Sequence, residues 1–387
     1  MIEATRPVAF ELSADQRAIG EVAREIAQRE IAPHIAAWDR AHTFPRELYG
    51  KLNEAGLMGM LVPESYGGVE ADYVSYALAI GELAKVDAGT AVTVSVHSMI
   101  CHAIATLGSD AQKDAWLERL AARDVIAGFA LTEPDAGSDA AAIRATARRD
   151  GDDYVLNGRK QWCTNGAYAG VVMAMFRTGG PGAKGISAFL VDASMDGVCV
   201  DRTTEKLGIH TSNTVDLAFD DARVPQAARL GEEGTGLVQA LAALTAGRIG
   251  IAAQAVGILA ACLDASVTFA KDRSAFGKPI GAFEAVSFKI AQMATDLDAA
   301  RLLVYRAAAL ADAGLPFATE ASKAKLFAST KAREHASEAL QIHGGYGYTT
   351  EFPVERYYRD AKITEIYEGT SEVQQIIIAR SVLGRFD

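Results

Sequence analysis

The stretch "YVLNGRKQW", residues 154–162, is where the character of the chain changes. Strand-forming residues stand on both sides of Asn157-Gly158, the favoured pair for a two-residue hairpin turn. The spacing therefore predicts two antiparallel strands joined at Asn157-Gly158. "GVVMAMFRT" (170–178), "GISAFLVDAS" (185–194) and "TVDLAFDDARVP" (214–225) read as further strands. In the last, Val215, Leu217 and Phe219 alternate with polar residues, which gives a strand one buried face. A middle β-domain, barrel or sandwich, is expected over residues 126–232.

The flanks carry helical spacing instead. "SADQRAIGEVAREIAQREIAPHIAAWDR" offers Ser13 as an N-cap, then apolar residues at Ile19, Val22, Ala23, Ile26 and Ala27. "VPESYGG" (62–68) is a loop, and residues 72–108 read as two buried helices. Helical spacing returns after "GEEGTG" (231–236). Phe283, Val286, Ile290, Met293, Leu297, Ala300, Val304 and Ala307 recur every three or four residues, the seam of a bundle. The expected fold is mainly α with a central β-domain: an N-terminal helical domain (1–125), the β-domain (126–232) and a C-terminal four-helix bundle (233–387).

Half of the 387 residues are hydrophobic and 22% are charged, ordinary for a globular protein with well-buried cores. A net charge of −11 argues against nucleic acid or an anionic membrane as main partner. Cys101, Cys163, Cys199 and Cys262 are far apart and form no CxxC pair, which fits a reducing compartment. The opening "MIEATRPVAFELSADQ" is too polar for a signal peptide, and no apolar run reads as a span of ~20 residues. A cytoplasmic bacterial enzyme, or a mature organellar form, is expected. "HGGYGYT" (343–349) follows a helix and lacks the GxGxxG spacing, and "AFGKPI" (275–280) lacks the Walker spacing. His97, Cys101 and His102 share a helix face, where core packing is the commoner role; no metal site is expected.

The last motif is "ITEIYEGTSEVQ" (363–374). Taken alone, Glu368 is either a solvated glutamate in a turn or a poorly hydrated base between a bulky tyrosine and a glycine. Read with "FALTEPDAGSD" (129–139), "KQWCTNG" (160–166), "DRSAFGKPI" (272–280) and "QIHGGYGYTTEFPVERYYRDAKITEIYEGTSE" (341–372), it makes nearly the whole chain resemble the acyl-CoA dehydrogenase family. The C-terminal half is most similar to its short-chain, butyryl-CoA branch.

The resemblance implies a desaturation: a base takes the α-proton of an acyl-CoA thioester, the β-hydrogen passes as hydride to N5 of FAD, and a trans-2-enoyl-CoA forms. Glu368 would be the base, in an apolar pocket that raises its pKa. The position where some relatives carry the base instead is Gly247 here, which argues against the isovaleryl-type and long-chain-type branches. The Glu368 amide and the ribityl 2′-hydroxyl of FAD would polarise the thioester carbonyl. Phe129, Leu131, Thr132, Gly137 and Ser138 would hold the flavin ring, with Ser138 also on the CoA side. Trp162 and Thr164 would contact the flavin, with Cys163 on the opposite strand face. Arg273 and Phe276, with Gln341, Gly344 and Gly345, would meet the pyrophosphate and adenosine of a neighbouring subunit's FAD. Thr370 and Glu372 would reach FAD from the C-terminal loop, and Arg248, Tyr367 and Gly369 would shape the substrate site. Arg248 has an ordinary bundle ion pair as its alternative role. Glu284 stands where relatives commonly have Gln, which puts one cofactor contact in question. The implied partners are an acyl-CoA, electron-transferring flavoprotein and further copies of the chain, as a dimer of dimers. An acyl-CoA oxidase, a dehydrogenase for aromatic or dicarboxylic acyl-CoAs, and a non-catalytic acyl-CoA-binding scaffold are the other readings.

Overall fold

The computed structural model describes residues 11–123 and 125–384. The polar opening, residues 1–10, lies outside them. Among the described residues six α-helices come first: α1 (Ala14–Ile26), α2 (Ile35–Ala41), α3 (Arg46–Glu54), α4 (Tyr73–Val86), α5 (Ala88–Leu107) and α6 (Asp110–Ala122). Their starts are set by capping side chains that accept otherwise orphaned amides. Ser13 and Ser109 form capping boxes with Gln16 and Gln112, and Asp72 and Asp87 cap α4 and α5. The buried stripe of α1 runs through Gly20, Ala23 and Ile26, while Val22 is exposed. Val22 belongs to the 3.6-residue pattern by type but points off the face that meets α4.

The β-domain follows: β1 (Ile126–Ala130), β2 (Thr146–Asp150), β3 (Asp153–Thr164), β4 (Ala169–Arg177), β5 (Ile186–Asp192), β6 (Val198–Thr203), β7 (Thr214–Pro225) and β8 (Arg229–Leu230). They form one sheet in the order β6-β7-β3-β2-β4-β5-β8, with β1 parallel to β4. The predicted hairpin at Asn157-Gly158 is not formed. β3 runs straight through both residues and pairs with β7 from Asp153↔Pro225 to Thr164↔Thr214. Gly158 (φ 130°) instead accommodates a bulge, and Asn157 exchanges side-chain hydrogen bonds with Asp221 across it. The β2–β3 turn lies at Gly151-Asp152, between the paired Asp150 and Asp153, with Gly151 at φ 66°.

Alternation divides β4 between two cores. Val171, Met173 and Met175 pack against the helices, and Val172, Ala174 and Phe176 pack inside the sheet domain. This is why "GVVMAMF" is apolar at every position: both faces of the strand are buried.

The C-terminal part begins with α7 (Gly236–Asp272), a helix of 37 residues. A short ribbon, β9 (Ser274–Ala275) and β10 (Lys278–Pro279), turns the chain into α8 (Glu284–Asp312) and α9 (Ala318–His343). α10 (Val354–Ile363) and α11 (Ser371–Leu383) complete the bundle against α9. In the seam of α8, Met293, Leu297, Ala300, Val304 and Ala307 are buried, while Val286 and Ile290 are half-buried and Phe283 stands at the N-cap, outside the helix. Contrary to the sequence reading, two helices, α5 and α7, are long and apolar enough to cross a membrane by length and composition. Their apolar residues, Ala, Val, Ile and scattered Leu, are interrupted by small and polar ones, and 78% of each apolar window is buried inside the protein.

Buried polar groups tie the three parts together. The Thr211 hydroxyl donates to Asp87 at the start of α5, Asn165 Nδ2 donates to the carbonyls of Thr93 on α5 and Ala127 on β1, and Gln254 Nε2 of α7 donates to Ala88 O. His97 accepts from the Ala127 amide through Nδ1, which places its proton on Nε2, facing Cys101 Sγ at 3.3 Å. His97 thus joins α5 to β1, with Cys101 one turn along the same helix facing its other ring nitrogen.

Candidate active site

Glu368 sits in the turn between α10 and α11. Its backbone is left-handed (φ 54°), as is that of Gly369 (φ 90°). A non-glycine residue holds that conformation only where its surroundings impose it. The surroundings are on both sides. The Tyr367 hydroxyl donates to Gln254 Oε1, while Lys325 Nζ and Gln374 Nε2 donate to the Gly369 carbonyl at 2.8 and 2.7 Å. A side chain at Gly369 would also collide with Gln374, its Cβ 2.7 Å from Nε2.

The Glu368 carboxylate is turned inward. Its Oε2 has no hydrogen-bond partner and no accessible surface. A Cβ at Gly247 would lie 2.7 Å from Oε2 and 2.9 Å from Met99 Sδ, so the oxygen rests between α7 and α5 in an apolar niche. Burial pushes its pKa up to about 7, while the cations of Arg248 and Lys325 pull the other way. Arg248 is buried beside it and makes no ion pair with it among the described residues; its Nε is unpartnered and its Nη1 reaches Thr245 at 3.5 Å. The Glu368 amide donates to no acceptor among the described residues, which leaves it free for a ligand carbonyl.

A second group of residues gathers where β1 and β3 end. Phe129 and Leu131 lead into the loop of Thr132, Gly137 and Ser138. The Gln161 amide donates to Thr132 O at 2.7 Å, holding this loop against β3. Beneath it lies a buried ion pair: Lys160 Nζ donates to Glu133 Oε1 at 2.6 Å, and Glu133 also accepts the Arg144 and Ala145 amides. The amides of Thr132, Gly137 and Ser138 donate to no described acceptor. β3 bulges between Lys160 and Cys163, putting Trp162 at φ 56° with 56% of its surface exposed. Cys163 faces the other way, is buried, and has its thiol pushed up to about 12 by burial. An exposed indole beside free backbone donors suits a planar heterocycle with polar edges. Thr93, which Asn165 binds next to this edge, and Met99, which touches Glu368, are six residues apart on α5, about 9 Å along its axis.

A third group lies elsewhere. Arg273, Gly344 and Gly345 line one recess of 470 Å³, with the Arg273 guanidinium 5.6 Å over the Tyr346 ring. Gln341, on the last turn of α9, is exposed. Phe276, 95% exposed at φ 52°, stands at the tip of the β9–β10 ribbon. Gly247 is on α7 and Arg273 caps its C-terminal end 26 residues later, about 39 Å away along the axis. Within one chain these residues therefore do not reach the Glu368 niche. Glu284 opens α8 and is exposed, where a carboxylate complements the helix dipole. Thr370 caps α11 by accepting from Val373 N, and Glu372 is exposed in its first turn. A wider recess of 1140 Å³ between α2, the end of α7 and α10 does not include Glu368; Asp39, His210, Arg356 and Arg359 line it.

Three family models cover almost the whole chain: the acyl-CoA dehydrogenase N-terminal domain over residues 13–124, the middle domain over 128–222 and the C-terminal domain over 234–383. The chain belongs to the acyl-CoA dehydrogenase family. It is 45% identical to the mitochondrial short-chain specific acyl-CoA dehydrogenase of Bos taurus, over 96% of this chain and 91% of that one. It superimposes on the butyryl-CoA dehydrogenase of Megasphaera elsdenii with a TM-score of 0.95 and 41% identity, covering 97% and 99% of the two chains. A chain in the structure of the electron transferring flavoprotein of Acidaminococcus fermentans matches with a TM-score of 0.96 and 44% identity, over 97% and 100%. Acyl-CoA dehydrogenases are FAD-dependent oxidoreductases acting on CH–CH bonds.

Sequence reasoning passed over Lys160, Glu133, Lys325, Gln374 and Gln254, all buried polar residues that hold the two loops. Lys325 had a readable signal: it shares a helical face with Ala321, Ala328 and Ala332, where a lysine is out of place.

Proposed function

We propose that this chain desaturates a short or short-branched acyl-CoA between Cα and Cβ, giving a trans-2-enoyl-CoA, with Glu368 as the base for the α-proton. The observation that carries the reading is the Glu368 carboxylate itself: an unpartnered oxygen without solvent, held by two left-handed residues against Gly247 and Met99. A poorly hydrated carboxylate with a pKa near 7 is matched to taking a weakly acidic proton at neutral pH.

The residues divide the remaining tasks. The free Glu368 amide is positioned to donate to the thioester carbonyl, where negative charge develops as the proton leaves. Gly369 keeps the approach to that amide open. Phe129, Leu131, Thr132, Gly137, Ser138, Trp162 and Thr164 would hold the flavin ring, with Thr370 and Glu372 closing on it and Ser138 also facing CoA. FAD, when bound, supplies the acceptor for the β-hydrogen and its electron pair. Arg248 would place positive charge beside the carboxylate, and Tyr367 would wall the pocket. A preference for short chains would follow from the Tyr367–Gln254–Ala88 hydrogen-bond chain next to the base, which ends in a buried bond to Ala88 O. A longer acyl group passing there would leave those polar groups unpaired.

The roughly 39 Å along α7 between Gly247, which touches Glu368, and Arg273 supports a site shared between subunits. Arg273, Phe276, Gln341, Gly344 and Gly345 would bind the pyrophosphate and adenosine of a neighbour's FAD, in a dimer of dimers. Electrons would leave to electron-transferring flavoprotein in a reducing compartment such as the bacterial cytoplasm, where isolated thiols stay free.

The test is anaerobic bleaching of the purified flavoprotein by acyl-CoAs from C4 to C16 and by isobutyryl-, 2-methylbutyryl-, isovaleryl- and glutaryl-CoA. Fast bleaching by C4 or a short branched ligand supports the reading. Bleaching by glutaryl-CoA alone, or rapid reoxidation of the substrate-reduced enzyme by oxygen, would move it to a dicarboxylate dehydrogenase or an oxidase.

A further inference from the structure

Lys325 is fully buried in α9, and among the described residues it has no carboxylate within ion-pairing distance. Its one hydrogen bond goes to the Gly369 carbonyl, which Gln374 binds a second time while also reaching Glu368 O at 3.3 Å. A buried ammonium without a carboxylate partner is costly, and its presence here asks for a reason. Burial brings its pKa down to about 8, against the opposing pull of Glu368.

We infer that Lys325 is a positioning residue for the base: with Gln374 it pins the Gly369 carbonyl, fixes the two left-handed residues and so keeps the Glu368 carboxylate in its niche against Gly247 and Met99. This rests on Glu368 being the base. The geometry gives Lys325 two effects. The hydrogen bond orients the turn, and the buried charge favours the carboxylate over the carboxylic acid. Gln374 shares the first effect and has no part in the second. The other groups facing Glu368 are Tyr76 on α4, Arg248 on α7 and its neighbour Tyr367; those facing Lys325 are Glu368, Arg248, Glu365 and Glu372.

The experiment compares FAD-loaded Lys325→Met, Lys325→Gln and Gln374→Leu with wild type and Glu368→Gln. Read out are FAD content, acyl-CoA affinity, the anaerobic bleaching rate against pH and the pH dependence of denaturant unfolding. For Lys325→Met the expected result is retained FAD, unchanged acyl-CoA affinity, bleaching at least tenfold slower, and an acid limb moved to higher pH. The upper end of the pH window over which stability falls moves up with it, while the lower end stays at the value of an unfolded glutamate. Gln374→Leu slows bleaching and leaves the acid limb in place. Lys325→Gln, which keeps a donor without the charge, moves the acid limb with a smaller loss of rate, and it decides the matter should the Met variant not fold. An acid limb that stays where it is in the Lys325 variants overturns the inference, whatever the rate. Glu368→Gln bleaching at the wild-type rate would instead overturn the base assignment, while an inactive Glu368→Gln beside unaffected Lys325 variants would sink the inference alone.

Discussion

Glu368 Oε2 lies where a side chain on Gly247 would be, 2.7 Å from the position of its Cβ. Two segments far apart in sequence, the α10–α11 turn and the middle of α7, therefore compete for one small volume. Gly247→Ala is expected to displace the carboxylate and Met99 Sδ together, since both are ends of side chains that can move. A shift of about 1 Å at a reacting group costs on the order of 10²-fold in rate. Anaerobic bleaching should slow by that order, with FAD content unchanged. A variant that bleaches as fast as wild type would show that the niche does not aim the base.

The raised pKa of Glu368 carries a stability consequence whose sign is fixed. The folded chain keeps its proton up to about pH 7, whereas an ordinary glutamate loses it near 4.5. Between those values the unfolded state binds fewer protons, so stability falls as pH rises, by about 3 kcal/mol across the window. Glu368→Gln removes this term. It should match wild type near pH 4.5 and exceed it above pH 7, as read by urea unfolding at the two ends. Equal stability at both would mean that the carboxyl is hydrated.

Lys160→Met tests the support of the 131–138 loop. It leaves Glu133 buried with two backbone donors and no cation. Breaking a buried pair costs about 3–5 kcal/mol, and the remaining donors put the expected loss at about 3 kcal/mol. The purified variant should also lose part of its FAD, measured as the ratio of visible to ultraviolet absorbance. Full flavination with wild-type stability would separate the ion pair from the flavin loop.

Arg273→Ala addresses the shared site. The residue is exposed and far along α7 from Glu368, so the fold should be unaffected. FAD retention should fall, and mixing this variant with Glu368→Gln should restore some fully competent sites if each site draws on two subunits. No recovery, with exchange of subunits shown by mass, would place Arg273 outside the cofactor site.

Much of this architecture was legible in the chain. The seam of α8 and the alternating Val215, Leu217 and Phe219 are periodicities, and periodicity reports which face is buried. Asn157-Gly158 misled because the pair fits a bulge as well as a turn. What decides between them is the length of β7 on the other side, which no local window contains. Val22 has the right type and the wrong angle on its helix. The motif around Glu368 singled it out as the candidate base, yet the residues that hold its turn, Lys325, Gln374 and Gln254, come from three helices, α9, α11 and α7. Their sequence signal is only a polar residue on an otherwise small or apolar face.

The most direct test of the central claim is the anaerobic reduction rate of FAD-loaded Glu368→Gln with butyryl-CoA, beside wild type over pH 5–9. The account predicts a wild-type rate that rises with pH through about 7, and a Gln variant that keeps FAD, binds the ligand and scarcely bleaches at any pH. A Gln variant that bleaches at the wild-type rate, with the same pH dependence, would contradict it and place the base on another residue.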